Sequence, residues 1–514
     1  MSCGMLCLRL CKSRALRRSG WFRKSFALLV LGALSFSFTP ERAGLITGAL
    51  WFVFLMVPIL ASTLMRSATL KGAWGRALFL SRLVALLHPM DGMPGHVRLI
   101  AAMRHFDRGE IDDGRAIAAD LEHSDSPLAH GAKVVMVRAT GDWERFATWV
   151  EHGNTDKLLA DSSVLVGYLR ALGEIGRVAD MVEVYRLRGD SEALRRDRTT
   201  HGVLTMQLAA LTGSVELLDL LLDGPVAQLS EPAHAFWRAT ALQVAGRHDE
   251  AALLLTGKRE TCRAILTREY DQRLADPLPT LTDSELDGSR RWLADLAEQL
   301  QHERTFAPIS HRAGTPFITY TLAVAITVAF AFEVPGGSTD IANLVDLGAL
   351  VVPTSETPGE WWRVLSAGFL HFGPVHLVMN LAGLLLLGSW LERTWGRARM
   401  GLTYLLCMAA SLALLPLVSN PGPNEAQIVV GASGGIMGLL GALLGFLVVG
   451  RSQGPSPVVN RQLRMMLMLV VIQVLFDMST PQVSGSAHLL GLATGVLLGL
   501  MIGKRIVVES AAPA

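Results

Sequence analysis

The sequence predicts an all-α, polytopic membrane protein with a soluble helical array set between two groups of spans. Half of the 514 residues are hydrophobic and only 18% are charged. The mean hydropathy of +0.36 is too high for a chain that folds in water alone. Eight apolar stretches approach the roughly 20 residues that a helix needs to cross a hydrocarbon core about 30 Å thick. Between the second and third of these lies a charged region in which a glycine recurs at a nearly constant period.

The first two stretches, 26–39 and 43–65, follow a basic tail containing Arg14, Arg17, Arg18, Arg23 and Lys24. No small-residue cleavage site intervenes, so a transmembrane hairpin is expected rather than a removable leader, although 26–39 is short for a span. Cys3, Cys7 and Cys11 in that tail would align on one helix face, which suits acylation or metal binding. Without a second ligand type they read more simply as a helical tail on the membrane surface. The five cysteines show no CxxC spacing, and neither a disulfide framework nor a metal site is expected.

In the region from about 92 to 305, Gly109, Gly141, Gly176, Gly213 and Gly246 are separated by 32, 35, 37 and 33 residues. Each sits between two helical patterns, where a positive-φ residue ends the first helix and an apolar run such as "DLLL" buries the second. In period and glycine placement this resembles tetratricopeptide repeats, of about 34 residues, without most of the consensus aromatics. The resemblance implies an α-solenoid with a concave surface for a protein partner; a purely structural array is the alternative. Residues 273–315 read as a helix framed by linkers.

Six further stretches follow, at 316–334, 374–391, 401–418, 428–449, 463–478 and 486–502. Arg66, Lys71, Arg76, Arg82, Arg393, Arg397, Arg399, Arg451, Arg461, Arg464, Lys504 and Arg505 flank alternate ends, while 335–361, 419–430 and 479–485 contain no lysine or arginine. Eight crossings with both termini and the repeats in the cytoplasm satisfy this pattern. The expected divisions are a basic tail and hairpin (1–66), a repeat region (67–305), a linker (306–315), a six-span core (316–505) and a C-terminal tail (506–514). A net charge of +2 gives no sign of a nucleic-acid partner.

Within the core, "GASGGIMG" places Ser433 between glycines at the start of a span. A serine there is often only packing glue, but histidines at lipid depth are costly and mark function by default. His376 and His488 are two such residues. Gly491, Gly495 and Gly499 after His488 form an i, i+4 ladder that allows close approach to the helix carrying Ser433, Gly438, Gly441 and Gly445. Proton abstraction requires a hydroxyl and imidazole about 2.6 to 3.2 Å apart. The topology puts Ser433, His488 and His376 at one extracytoplasmic depth. His376 and Asn380, spaced i, i+4, together with the backbone N–H of Ser433, would form an oxyanion hole, aided by the helix N-terminus.

At these residues the chain resembles the rhomboid intramembrane serine proteases. Trp362 and Arg363, "HFGPVHLVMN" with His371, His376 and Asn380, the pattern of Gly388, Glu392 and Gly396, the GxSG of Gly431, Ser433 and Gly434, and Ala487, His488 and Gly491 appear in the family's order. The resemblance implies a Ser433–His488 dyad without a third acidic residue, and no cofactor. It also implies transmembrane protein substrates with a small residue at the cleavage point, entering near the fifth span, and a bacterial inner-membrane setting. Met437 stands where some members carry an aromatic ring that stacks on the catalytic imidazole, and a thioether can pack there. His371 is expected as an accessory oxyanion or loop-anchoring residue. Trp362 and Arg363 should hold the first loop at the interface, and Glu392 should pair with local arginines. The alternative function is an inactive scaffold that binds membrane helices; a transporter would need midplane carboxylates, and none is expected.

Overall fold

The computed structural model describes residues 20–38, 47–123, 128–191, 194–195, 197–282, 284–286, 288–306, 315–353, 358–419, 426–454, 456–480 and 483–511. Cys3, Cys7 and Cys11 and most of the 306–315 linker lie outside the described residues. The chain divides into two units, Met1–Ala297 and Glu298–Ala514.

In the first unit, helices at Gly20–Phe38 and Thr47–Leu70 stand where the hairpin is expected. Only the second belongs to the helices long and apolar enough to cross a membrane. The first carries Arg23 and Lys24 close to its start, and there Gly20 N–H donates to Asp91 Oδ1 at 2.8 Å while Trp21 stacks on His88 at 4.2 Å. Five helix pairs follow, beginning with Met93–Asp107 and Ile111–Glu122 and ending with Glu231–Val244 and His248–Lys258. The five recurring glycines join them, all with φ between +72° and +82°. In four of the turns the N–H after the glycine reaches a carbonyl five residues back, as Arg177 reaches Leu172 and Arg247 reaches Leu242, both at 2.8 Å; at Gly141 the glycine's own N–H reaches the Val137 carbonyl at 2.7 Å. That closure needs a left-handed residue in its middle. The first helices of successive pairs pack on one another.

The second unit contains α1 (Phe317–Glu333), α2 (Gly373–Trp395), α3 (Arg397–Ala413), α4 (Ser433–Gln453), α5 (Pro457–Ser479) and α6 (Gly485–Ala511). Among the described residues of the whole chain, five helices are long and apolar enough to cross a membrane, against the eight expected spans. In this unit they are α2, α4, α5 and α6; α1 and α3 have 17 residues each. The 401–418 stretch is broken because the chain passes from α3 into a separate turn at Leu415–Val418 that holds Pro416, which cannot continue a helical hydrogen-bond ladder.

The fold is not wholly α. Leu350–Val352 (β1) pairs antiparallel with Gln427–Val429 (β2), with Leu350 opposite Val429 and Val352 opposite Gln427. β2 leads directly into Gly431 and Ser433, so the pair ties the entry of α4 to the loop between α1 and α2.

α4 is the hub. Its apolar window is 83% buried, against 17% for α5 and 28% for α6, whose outer faces present Met468, Val471, Leu475, Leu489 and Leu497 outward. Such a belt suits lipid rather than water. α4 and α6 touch backbone to backbone: a methyl on Gly495 would stand 1.9 Å from the Gly438 carbonyl oxygen, one on Gly499 1.9 Å from that of Ala442, and one on Gly441 2.1 Å from that of Leu492.

Candidate active site

Ser433 is the first residue of α4. The first N–H groups of a helix have no partner within it and carry the positive end of its dipole. The chain reaches this point through Gly431, whose N–H donates to the Ala367 carbonyl at 2.8 Å and whose φ is +131°. A Cβ at 431 would meet His376 Cε1 at 2.8 Å and Nε2 at 3.1 Å, with Ser433 Oγ at 3.5 Å. One small space beside Gly431 is therefore bordered by both the His376 imidazole and the Ser433 hydroxyl.

The orientation of His376 is set from its other side. Phe372 N–H donates to His376 Nδ1 at 3.3 Å. A backbone N–H can only donate, so the neutral ring carries its proton on Nε2, the nitrogen turned towards Gly431. Asn380, one turn deeper and buried, donates from Nδ2 to the His376 carbonyl at 3.0 Å. One amide hydrogen is thus committed to its own helix and the second is left for another acceptor.

His371 lies just before α2, fully buried, with its ring 5.1 Å from that of His376. Its N–H donates to both carboxylate oxygens of Glu333 at 3.1 Å, and its Nδ1 donates to the Phe369 carbonyl at 3.1 Å. Burial, reinforced by the neighbouring His376, pushes its imidazole down to about 4, so the ring is neutral. These bonds anchor the loop. Arg363 does likewise: buried, it donates from Nη1 to the carbonyls of Val345 (2.6 Å) and Ala349 (2.9 Å), pairs with Glu360 and lies 4.9 Å over the Trp362 ring.

α6 brings His488 to the same end of α4. A Cβ on Gly491, one turn after His488, would strike the Gly434 carbonyl at 2.2 Å, and one on Gly434 would stand 3.9 Å from the Ala487 carbonyl and 2.1 Å from Ser411 Oγ. His488 is 6% exposed. Among the described residues no hydrogen bond joins Ser433 to His488; such bonds commonly tighten only when substrate binds. Met437 is buried in the apolar cluster that also holds Ala487.

Two expectations are overturned. The His488 imidazole has an acidic partner: its Nδ1 lies 2.8 Å from Asp477 Oδ2, with both side chains less than a tenth exposed. The carboxylate comes from α5, the neighbouring helix, and not from the span of His488. Its signal in the sequence was a lone acid in the apolar run "VVIQVLFDMS", and an ionisable group in such a run is a functional candidate in its own right. Glu392, expected to pair with arginines, turns to the N-terminus of α1. It accepts the N–H of Ile318 (2.9 Å) and the N–H and hydroxyl of Thr319 (both 2.8 Å), satisfying donors that a helix start leaves unpaired.

Residues 358–505 match the rhomboid domain family. The chain is similar to Rhomboid protease GluP of Bacillus subtilis (strain 168), 31% identical over 214 residues, which cover 41% of this chain and 40% of that protein. It is similar to RHOMBOID-like protein 4 of Arabidopsis thaliana, 36% identical over 163 residues, covering 31% of this chain and 39% of that protein. With Putative rhomboid protease YdcA of Bacillus subtilis (strain 168) it shares 30% identity over 198 residues, 37% of this chain and 90% of that protein. The chain thus spans about two fifths of the length of the first two relatives and nearly all of the third.

Proposed function

The chain belongs to the rhomboid family, and from that premise we propose that it is an intramembrane serine protease that hydrolyses peptide bonds in or near transmembrane segments of other membrane proteins. The observation that carries this reading is the convergence of the Ser433 hydroxyl and the Nε2 side of His376 on the space beside Gly431, at the end of α4 that packs on the helix bearing His488. In the proposed cycle His488 removes the Ser433 proton and the alkoxide attacks a backbone carbonyl. The oxyanion is received by the Ser433 backbone N–H, by His376 Nε2–H and by the second amide hydrogen of Asn380. The imidazolium passes its proton to the leaving amine, and water then releases the acyl-enzyme. Gly431 and Gly434 provide the close approaches, while His371 is an accessory that anchors the loop behind His376.

The proposed core comprises α1 to α6 as six crossings. α1 and α3, at 17 residues, are about 25 Å long, the short end of the range for a span. The distribution of arginine and lysine supports both termini and the repeats on the cytoplasmic side. We assign the five helix pairs as a tetratricopeptide-like solenoid that recruits a soluble partner or a substrate tail, supported by their common glycine turn.

The test uses the full chain in proteoliposomes with a model transmembrane substrate. Ser433→Ala should abolish both cleavage and labelling by a fluorophosphonate while leaving the protein folded. Continued cleavage by that variant would remove Ser433 as the nucleophile, and absence of labelling in the unaltered protein would favour a scaffold without hydrolytic activity.

A further inference from the structure

We propose that Asp477 is a positioning residue that holds His488 in the tautomer and orientation its work as a base requires, so that the chain uses a serine–histidine–aspartate arrangement in place of a bare dyad. The inference rests on the protease reading above and adds to it the residue that fixes the base.

Asp477 lies near the end of α5, and its two carboxylate oxygens have separate partners. Oδ2 is 2.8 Å from His488 Nδ1, and Oδ1 accepts the Gln473 amide at 2.7 Å. Gln473 is one turn earlier on the same helix, so the carboxylate is steadied on its own helix before it reaches across to α6. The carboxylate is 8% exposed and the imidazole 7%. An ionised group this deeply enclosed is retained only where its partners replace water.

An ionised carboxylate can only accept, so His488 Nδ1 is the donor and its proton stays there. The lone pair is thereby left on Nε2, the nitrogen free to take the proton from Ser433 Oγ. When that proton moves to Nε2 the ring becomes an imidazolium, whose charge the adjacent carboxylate stabilises without itself taking a proton. The proton then leaves with the amine and the ring returns to its starting form. A purely structural reading would make the pair a tie between α5 and α6. The two readings differ in turnover: a tie alters the amount of folded protein, whereas a positioned base alters kcat.

The test compares Asp477→Asn, Asp477→Glu and Gln473→Leu in full-length protein in proteoliposomes, with Ser433→Ala as the inactive reference. An asparagine can donate its amide hydrogen to Nδ1 and drive the ring proton to Nε2, the wrong nitrogen. For Asp477→Asn we expect kcat to fall about a hundredfold or more at nearly constant KM, the scale of general-base assistance, and fluorophosphonate labelling to slow in parallel. Asp477→Glu, which keeps the carboxylate, should recover part of the rate. Gln473→Leu, which removes only the support on Oδ1, should lower kcat severalfold, and it carries the test if Asp477→Asn does not accumulate. A folded Asp477→Asn with kcat within threefold of the unaltered protein overturns the proposal, as does a Gln473→Leu that leaves kcat unchanged. Inactivity of the unaltered protein would count against the protease reading itself, so the two failures are distinct.

Discussion

Gly431 and His376 are in contact that only glycine permits: a side-chain carbon at 431 would lie 2.8 Å from the imidazole Cε1. The backbone there has φ +131°, which L side chains rarely adopt. Gly431→Ala therefore meets two penalties, strain on the order of 1–3 kcal/mol and displacement of a ring fixed by Phe372 N–H. Cleavage of a model transmembrane substrate should fall at least tenfold while the protein remains in the membrane. Full activity would show that His376 does not need its present position.

The glycine ladder between α4 and α6 gives a sharper steric prediction. Gly495→Ala would drive a methyl to 1.9 Å from the Gly438 carbonyl oxygen, a backbone atom that cannot rotate away. Gly454, with nothing within 4 Å of an added Cβ, is the control. Overpacking of this kind costs about 1–3 kcal/mol, and here it also separates the helices carrying Ser433 and His488. Thermal unfolding in detergent and substrate cleavage should both suffer in Gly495→Ala and neither in Gly454→Ala. Equal behaviour of the two variants would mean that the close packing is not required.

What could be read in advance was local or periodic. Ser433, His376, Asn380 and His488 stand in short motifs, and the facing glycines repeat at i, i+4. The turns at Gly109 to Gly246 announce themselves by spacing. What could not be read depends on partners carried by a different element. Asp477 reaches His488 across a helix–helix connection, and the family resemblance implied no acid at all. Glu392 is satisfied by backbone N–H groups more than 70 residues away, and a backbone donor leaves no mark in a sequence. The three-residue strands β1 and β2 are too short to show alternation, and their pairing joins loops on either side of two helices.

Glu392 can be tested at the bonds it makes. Glu392→Ala removes the acceptor for the Ile318 and Thr319 N–H groups, and the loss of charged hydrogen bonds to buried donors costs about 1–3 kcal/mol. Hydrogen exchange at those two amides should accelerate at least tenfold, with α4 amides unchanged. If their protection persists, another group caps α1 and the assignment of Glu392 fails.

In the repeat region the exposed question is how a buried charge network survives. Arg170 donates to Glu269 at 2.9 Å and lies 4.7 Å over the Trp143 ring, with both charged side chains less than a tenth exposed. Arg273 donates to both oxygens of Glu174 at 2.8 Å. Burial opposes the Glu269 charge, but Arg170 and Arg138 outweigh it and hold the carboxyl below its usual range. A depressed native value means that the unfolded state binds the proton first as pH falls. The stabilisation is therefore complete above the ordinary carboxylate range near 4.3 and is lost as pH drops through the native value. Arg170 Nε also lies 3.3 Å from Glu174, so Arg170→Met removes the cation that Glu174 and Glu269 share while Arg273 and Arg138 remain, and the loss of these charged hydrogen bonds costs about 1–3 kcal/mol. Hydrogen exchange in the helices Ser162–Glu174 and Ala264–Ala275 should be strongly protected at pH 7 in the unaltered chain and weaken below pH ~4. In Arg170→Met it should be weak already at pH 7 and depend less on acid. Protection that is unchanged by the substitution would mean that packing, and not this ion pair, holds the two helices together.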